Sequence, residues 1–146
     1  MSERVRITAE QDRRASRLLS IYGIGRWTAL LIVSEIGEIG RFPSAKHLCS
    51  YAGLVPSVHV SGNTSYTGHL TKQGSKWLRW ALVEAAHHAI RKPPYRDFYQ
   101  KTAKRRGKAI ATVAVARKIL KAIYHVLRKE EKSLPRDEEK GRMSLG

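Results

Sequence analysis

Residues 21–37, IYGIGRWTALLIVSEIG, decide the fold. Gly23-Ile24-Gly25 stands between two apolar-rich stretches, and glycine reaches backbone angles closed to residues with a Cβ, so the chain turns sharply there. Arg26 to Ile36 then carries apolar residues at most positions, which predicts a largely buried helix ended by Gly37 and by the turn from Gly40 to Pro43. Upstream, Thr8 followed by Ala9, Glu10 and Gln11 has the form of a capping box, so a first helix is predicted through RRASRLLSIY to the stop at Gly23. Two helices joined by a Gly-Ile-Gly turn point to an all-α class.

Working outward, Ser44 can cap a short third helix, AKHLCSYAG. The stretch SKWLRWALVEAAHHAIRK predicts a fourth, with Trp77, Leu78, Ala81, Leu82, Ala85 and Ala89 on its apolar face and Pro93-Pro94 at its end. Trp77 and Trp80 are expected in or beside the core. Stacking on unpaired bases is the alternative for both, and Trp27, beside the turn, is left open. A fifth helix is predicted over Tyr95 to Lys104. The sixth and longest covers Ala109 to Lys129, with Val113, Ala116, Ile119, Leu120, Ile123, Val126 and Leu127 facing inward. Between the third and fourth helices Pro56, Gly62, Asn63 and Gly68 interrupt a hydroxyl-rich stretch, read as a loop or small β-hairpin near 55–70. The expected architecture is five to six helices in one domain, 1–130, followed by a polar tail, 131–146, that lacks periodicity and is expected to be disordered.

At 146 residues the chain has the size of one domain, and its formal net charge of +16 calls for a polyanionic partner. The excess is concentrated in residues 71–129, which hold 16 Lys/Arg against two acids. Cys49 is the single cysteine, so an internal disulfide and a cysteine-rich zinc site are excluded. No apolar leader and no run of about 18 apolar residues is present, so a cytosolic location is expected and not a membrane. The adjacent His87 and His88 point about 100° apart on a helix, unlike a metal-ligand pair. His59 and His69 flank the hydroxyl-rich turn, where phosphate contact, proton transfer and a polar surface pair are all open readings.

The Gly-Ile-Gly turn resembles a helix-hairpin-helix element. Gly23 and Gly25 would let a phosphate approach the N–H groups and positive end of the second helix, Arg26 would add a formal charge there, and Ile24 would plug back between the helices. Such contacts position a protein on a duplex without reading its bases. The run Lys101, Lys104, Arg105, Arg106, Lys108 at a helix junction is a second candidate contact with DNA or RNA.

An ordered series of motifs carries a further resemblance: the GIG turn with its helix, Arg41-Phe42 near a turn, Tyr51-Ala52-Gly53-Leu54-Val55-Pro56, Ser61-Gly62, and Lys72-Gln73-Gly74 leading into a helix. Over residues 18–129 the chain resembles the C-terminal transposase domain of the "IS one-ten" family of bacterial insertion sequences. The resemblance implies DNA recombination through a serine nucleophile, in an oligomeric enzyme guided by a structured RNA. It also implies an N-terminal RuvC-like domain whose acidic residues hold a divalent metal such as Mg. Carried onto this sequence the nucleophile is Ser61, with Ser57 and Ser65 close enough to leave the assignment open. Lys72, Lys76 and Arg79 would stabilise charge on the phosphate.

This chain departs from the family pattern in its acids. Its only aspartates are Asp12, Asp97 and Asp137, in no metal-holding arrangement, so no metal or cofactor is expected here and the chain is not expected to cleave DNA unaided. Two rival readings remain: a non-catalytic nucleic-acid-binding module, and an RNA-associated basic protein.

Overall fold

The computed structural model describes residues 13–55 and 74–133, and every regular element among them is helical. In order they are α1 (13–18), α2 (Arg26–Ile36), a 3-10 turn (Ile39–Arg41), α3 (Ala45–Tyr51), α4 (Lys76–Ala89), α5 (Tyr95–Arg106) and α6 (Lys108–Ser133). The Thr8 capping box, the loop or hairpin read near 55–70 (Val55 apart) and residues 134–146 of the tail lie outside the described residues.

The spine is α6. Val115, Ala116, Ile119, Leu120, Ile123 and Leu127 recur every three or four residues and are buried. Against it pack α3, α4, α5 and the 3-10 turn, while α2 packs on α4. The helix outruns the sequence reading, which ended it at Lys129, because its last polar residues are tied in. The carboxylate of Glu130, only 8% exposed, meets Arg17 Nε at 2.9 Å. Arg128 pairs with Glu131 at 3.1 Å, and Ser133 Oγ donates to the Glu130 carbonyl at 2.9 Å. Residues 131–133, read as the start of the tail, are therefore helical.

Arginines close the far end of α2, where its unpaired carbonyls make a negative pole. Arg14 donates to Gly37 O at 2.7 Å and Arg41 Nε to Ile36 O at 3.0 Å. The Arg41 guanidinium also lies 4.5 Å from the Phe42 ring centroid and 4.9 Å from that of Tyr51. Tyr124 Oη, from α6, donates to Phe42 O at 2.9 Å. The Arg41-Phe42 motif is thus a clasp joining α2, α3 and α6.

The Tyr51-Ala52-Gly53-Leu54 motif is a helix stop. Gly53 takes φ +72°, Leu54 N–H reaches back to Cys49 O at 2.9 Å, and Gly53 N–H to Ser50 O at 3.0 Å. That double bond is a Schellman ending, with Leu54 buried as its apolar anchor. The chain returns at Gly74-Ser75. Ser75 N–H donates to Tyr51 O at 2.9 Å, its Oγ donates to Glu35 Oε1 at 2.6 Å, and the same Oγ accepts from Leu78 N–H at 3.0 Å to cap α4. A Cβ at position 74 would overlap the Tyr51 carbonyl.

Two readings of the apolar faces need correction. Trp77 and Trp80, expected in or beside the core, are 62% and 44% exposed. The buried face of α4 is instead Leu78, Ala81, Leu82, Ala85, Ala86 and Ala89. Its alanines let neighbouring backbones come close: a Cβ on Gly23 would stand 2.7 Å from Ala85 O. So close an approach leaves no room for indoles between the helices.

These contacts predict the cost of single changes. Gly74→Ala should destabilise the chain by at least about 2 kcal/mol, since a backbone carbonyl cannot step aside. Gly25→Ser should stay within about 0.5 kcal/mol, because φ −88° suits any residue and a Cβ there meets nothing within 4 Å. Ser75→Ala should cost about 1–2 kcal/mol through loss of the cap and of the Glu35 bond. Urea titration of each variant measures all three.

Candidate nucleic-acid interface

Helices ordinarily begin with acidic or hydroxyl residues, since their N-terminal N–H groups amount to a partial positive charge. This chain instead places cations in the first turn at three helix starts, one of them, α4, behind a serine cap. No acid stands in the first turn of α2, α4 or α6, which open instead on Arg26, on Lys76 with Arg79, and on Lys108. Among the helices whose first turns are described, only α5 has an acid there, Asp97. A cation at the positive end costs a helix about 0.3–1 kcal/mol, so the field of the backbone and that of the side chains add where an anion would be held.

At the hairpin the two glycines divide the work. Gly23, at φ +99°, packs against Ala85 and Ala89 and is glycine because α4 lies there. Gly25 is exposed and extended and caps α2 with no side chain in the way, so the open approach to the helix end is at Gly25 and Arg26. Ile24 is buried as the expected plug.

At the α5–α6 junction Lys104, Arg105 and Arg106 end one helix, Gly107 turns the chain at φ +97°, and Lys108 starts the next. All four cations are exposed. Beside them a groove of about 340 Å³ is lined by Val55, Phe98, Thr102, Arg105, Arg106, Ala109, Ile110, Val113, Ala114 and Arg117. It has three guanidinium groups and no acid. Arg117 Nε is buried with no hydrogen-bond partner among the described residues, although a buried N–H of that kind normally finds an acceptor. Arg117 was not among the residues singled out from the sequence, although it lines the groove. Its half-buried position between inward Val113 and Ala116 and outward Lys118 was the available signal.

Cys49 lies behind the same region, its Sγ 3.9 Å from Arg117 O. Burial pushes its thiol pKa up, against the opposing pull of Arg117 and Lys121, so it is no ready thiolate nucleophile.

Of the other residues singled out from sequence, Lys76 and Arg79 flank the start of α4, while Ser57, Ser61, Ser65, Lys72, His59 and His69 lie outside the described residues. Both ends of the 56–73 segment are nevertheless placed. Val55 leaves from the arginine groove, and Gly74-Ser75 returns against Tyr51, four residues before Val55. Among the described residues no group of three or more His, Cys, Asp or Glu could hold a metal ion, and no helix is long and apolar enough to cross a membrane.

Comparison with known proteins agrees with this geometry. Residues 15–100 match the family described as Transposase IS116/IS110/IS902. The chain is 31% identical over 134 residues to the transposase for insertion sequence element IS1111A of Coxiella burnetii, covering 88% of this chain and 37% of that protein. It is 36% identical over 128 residues to the pilin gene-inverting protein of Moraxella bovis, covering 85% of this chain and 40% of that one. It is 31% identical over 113 residues to an uncharacterized 43.6 kDa protein of insertion element IS110 in Streptomyces coelicolor, covering 76% of this chain and 28% of that protein. The chain therefore spans two fifths or less of the length of these relatives. On its matched residues it belongs to the transposase family of the insertion sequences IS116, IS110 and IS902.

Proposed function

We propose that this chain is the DNA-holding, serine-bearing part of an insertion-sequence transposase or recombinase. The observation that carries the reading is the placement of charge. Cations stand at the positive ends of α2, α4 and α6, and both ends of the segment bearing Ser61 lie beside them. Phosphates of a bound duplex meet Gly25-Arg26 at the hairpin, Lys76 and Arg79 at the start of α4, and Lys104, Arg105, Arg106 and Lys108 at the α5–α6 junction. Arg117 then supplies the groove floor with an unsatisfied donor.

Ser61 is the proposed nucleophile, with Ser57 and Ser65 as its rivals. Its Oγ attacks a DNA phosphorus in line with the 3′-oxygen. The Oγ–P bond forms as the P–O3′ bond breaks, the hydroxyl proton leaves to a base, the 3′-oxygen takes up a proton, and the 5′ end remains linked as phosphoserine. Neighbouring cations stabilise the charge that builds on the phosphorus oxygens. The described residues do not fit a metal pair. In the whole enzyme a Mg-binding acidic domain of the RuvC-like kind would supply it. A guide RNA and a homo-oligomer belong to the same proposal, by resemblance.

Three measurements test this reading. Lys108→Glu should act with opposite signs, raising stability by about 0.3–1 kcal/mol through the helix dipole while weakening duplex binding. Arg105→Ala and Arg106→Ala should each reduce the slope of log affinity against log salt by about 1. Slopes unchanged in both variants would remove the junction from the interface. In the enzyme reassembled with its metal-binding domain, nicked target DNA should trap a covalent adduct that Ser61→Ala abolishes. An adduct lost only in Ser65→Ala moves the nucleophile, and full recombination by Ser61→Ala leaves a non-catalytic DNA-holding module.

A further inference from the structure

All three tryptophans of the chain sit in the open. Trp27 is 64% exposed, Trp77 62% and Trp80 44%, and Trp27 meets Trp80 edge to face with ring centroids 5.8 Å apart. Large apolar rings left in water on one face are costly for a monomer and mark a contact surface. A hollow of about 660 Å³ is lined by Lys76, Trp77, Arg79, Trp80 and Val83, with no acid, and Trp27 joins it through its contact with Trp80. Arg26 precedes Trp27 at the positive end of α2, and Lys76 precedes Trp77 at that of α4.

We infer that this surface is a stacking platform for unpaired DNA. Indole faces bind the π-faces of bases, which a duplex hides between its stacked pairs and a single strand exposes, while interleaved cations follow the phosphates. A second copy of this chain suits the face poorly, because each copy carries a formal charge of +16 and brings the same cation rim. DNA is chosen over RNA because the inference rests on the transposition reading, in which strand exchange exposes unpaired DNA. The patch adjoins the open hairpin end at Gly25, so a duplex held by its backbone there can present an opened strand to the indoles.

Because the patch contains every tryptophan, the intrinsic emission of the intact chain reports on it alone. An oligothymidine of about 12 nucleotides should quench that emission, and a blunt duplex of equal length should do so far less. Trp77→Ala should weaken oligothymidine binding about 5- to 100-fold at fixed salt, with Trp77→Phe restoring most of it and duplex affinity little changed. An unaltered single-strand affinity in both Trp77→Ala and Trp27→Ala would overturn the inference, as would equal quenching by duplex. Oligouridine binding at least about tenfold tighter than oligothymidine would reassign the platform to RNA. Emission that shifts with protein concentration alone, together with a dimer in sedimentation, would make it an interface between copies. Duplex binding followed separately by anisotropy keeps the two readings apart. If it persists without single-strand quenching, only this inference fails, and if neither binds, the proposed function fails as well.

Discussion

The hydrogen bonds of Ser75 hold the arrangement together. One residue joins three helices: its backbone N–H to the end of α3, its hydroxyl to Glu35 on α2, and the same oxygen to the first turn of α4. The contact exists only because Gly74 has no side chain to strike the Tyr51 carbonyl. A chain that leaves at Val55 and returns at Gly74 is thereby forced to close on itself, whatever lies between. Ser75 then anchors α4, which carries Lys76 and the tryptophans, while α3 in turn leans on α6.

Charge shows where stability has been set aside. The same sequence caps α3 and α4 with serines and closes the C-terminus of α2 with arginines, all favourable choices. Against that background, cations at the starts of α2, α4 and α6 stand out, since an acid at each would favour the helix. The junction near Gly107 brings both kinds together: Lys104, Arg105 and Arg106 suit the negative end of α5, and Lys108 opposes the positive end of α6. Lys108 is therefore the more telling residue of the run, because helix electrostatics alone would select against it.

The helices were legible because their signals are local. Arg26 to Ile36 has its apolar run and Gly37, α3 has Ser44, and α6 has a stripe sustained over many turns. What the sequence concealed depends on neighbours distant along the chain. Trp77 and Trp80 fit an apolar face until Ala81, Ala85 and Ala89 admit the backbone at Gly23 and so turn that face away from the indoles. Both glycines of the GIG turn look alike in sequence, yet one packs on a helix and the other lies open. Several motifs that carried the family resemblance also proved architectural: Arg41-Phe42 is a clasp, Tyr51-Ala52-Gly53-Leu54 a helix stop and Gly74 a close approach. They therefore frame the segment that bears the proposed serine. The serine assignment lies in residues outside those described, so the candidate site is legible in its surroundings and not at its centre.

Covalent reach narrows that centre. Ser57 is two residues past Val55, so covalent geometry keeps the two Cα atoms within about 7 Å. Ser61, six residues along, has a tether of at most about 20 Å, and Ser65 one of about 35 Å from the same anchor. If Ser61 is the nucleophile as proposed, its shorter tether favours a phosphate held on the Val55 side, where Arg105, Arg106 and Arg117 lie, more than the longer tether of Ser65 does. Binding and chemistry are then coupled through geometry for Ser61 more tightly than for Ser65. On the proposed reading, the cations that would hold the duplex would also select which phosphorus comes within range, and the register of attack would follow from the helix ends rather than from the serine itself.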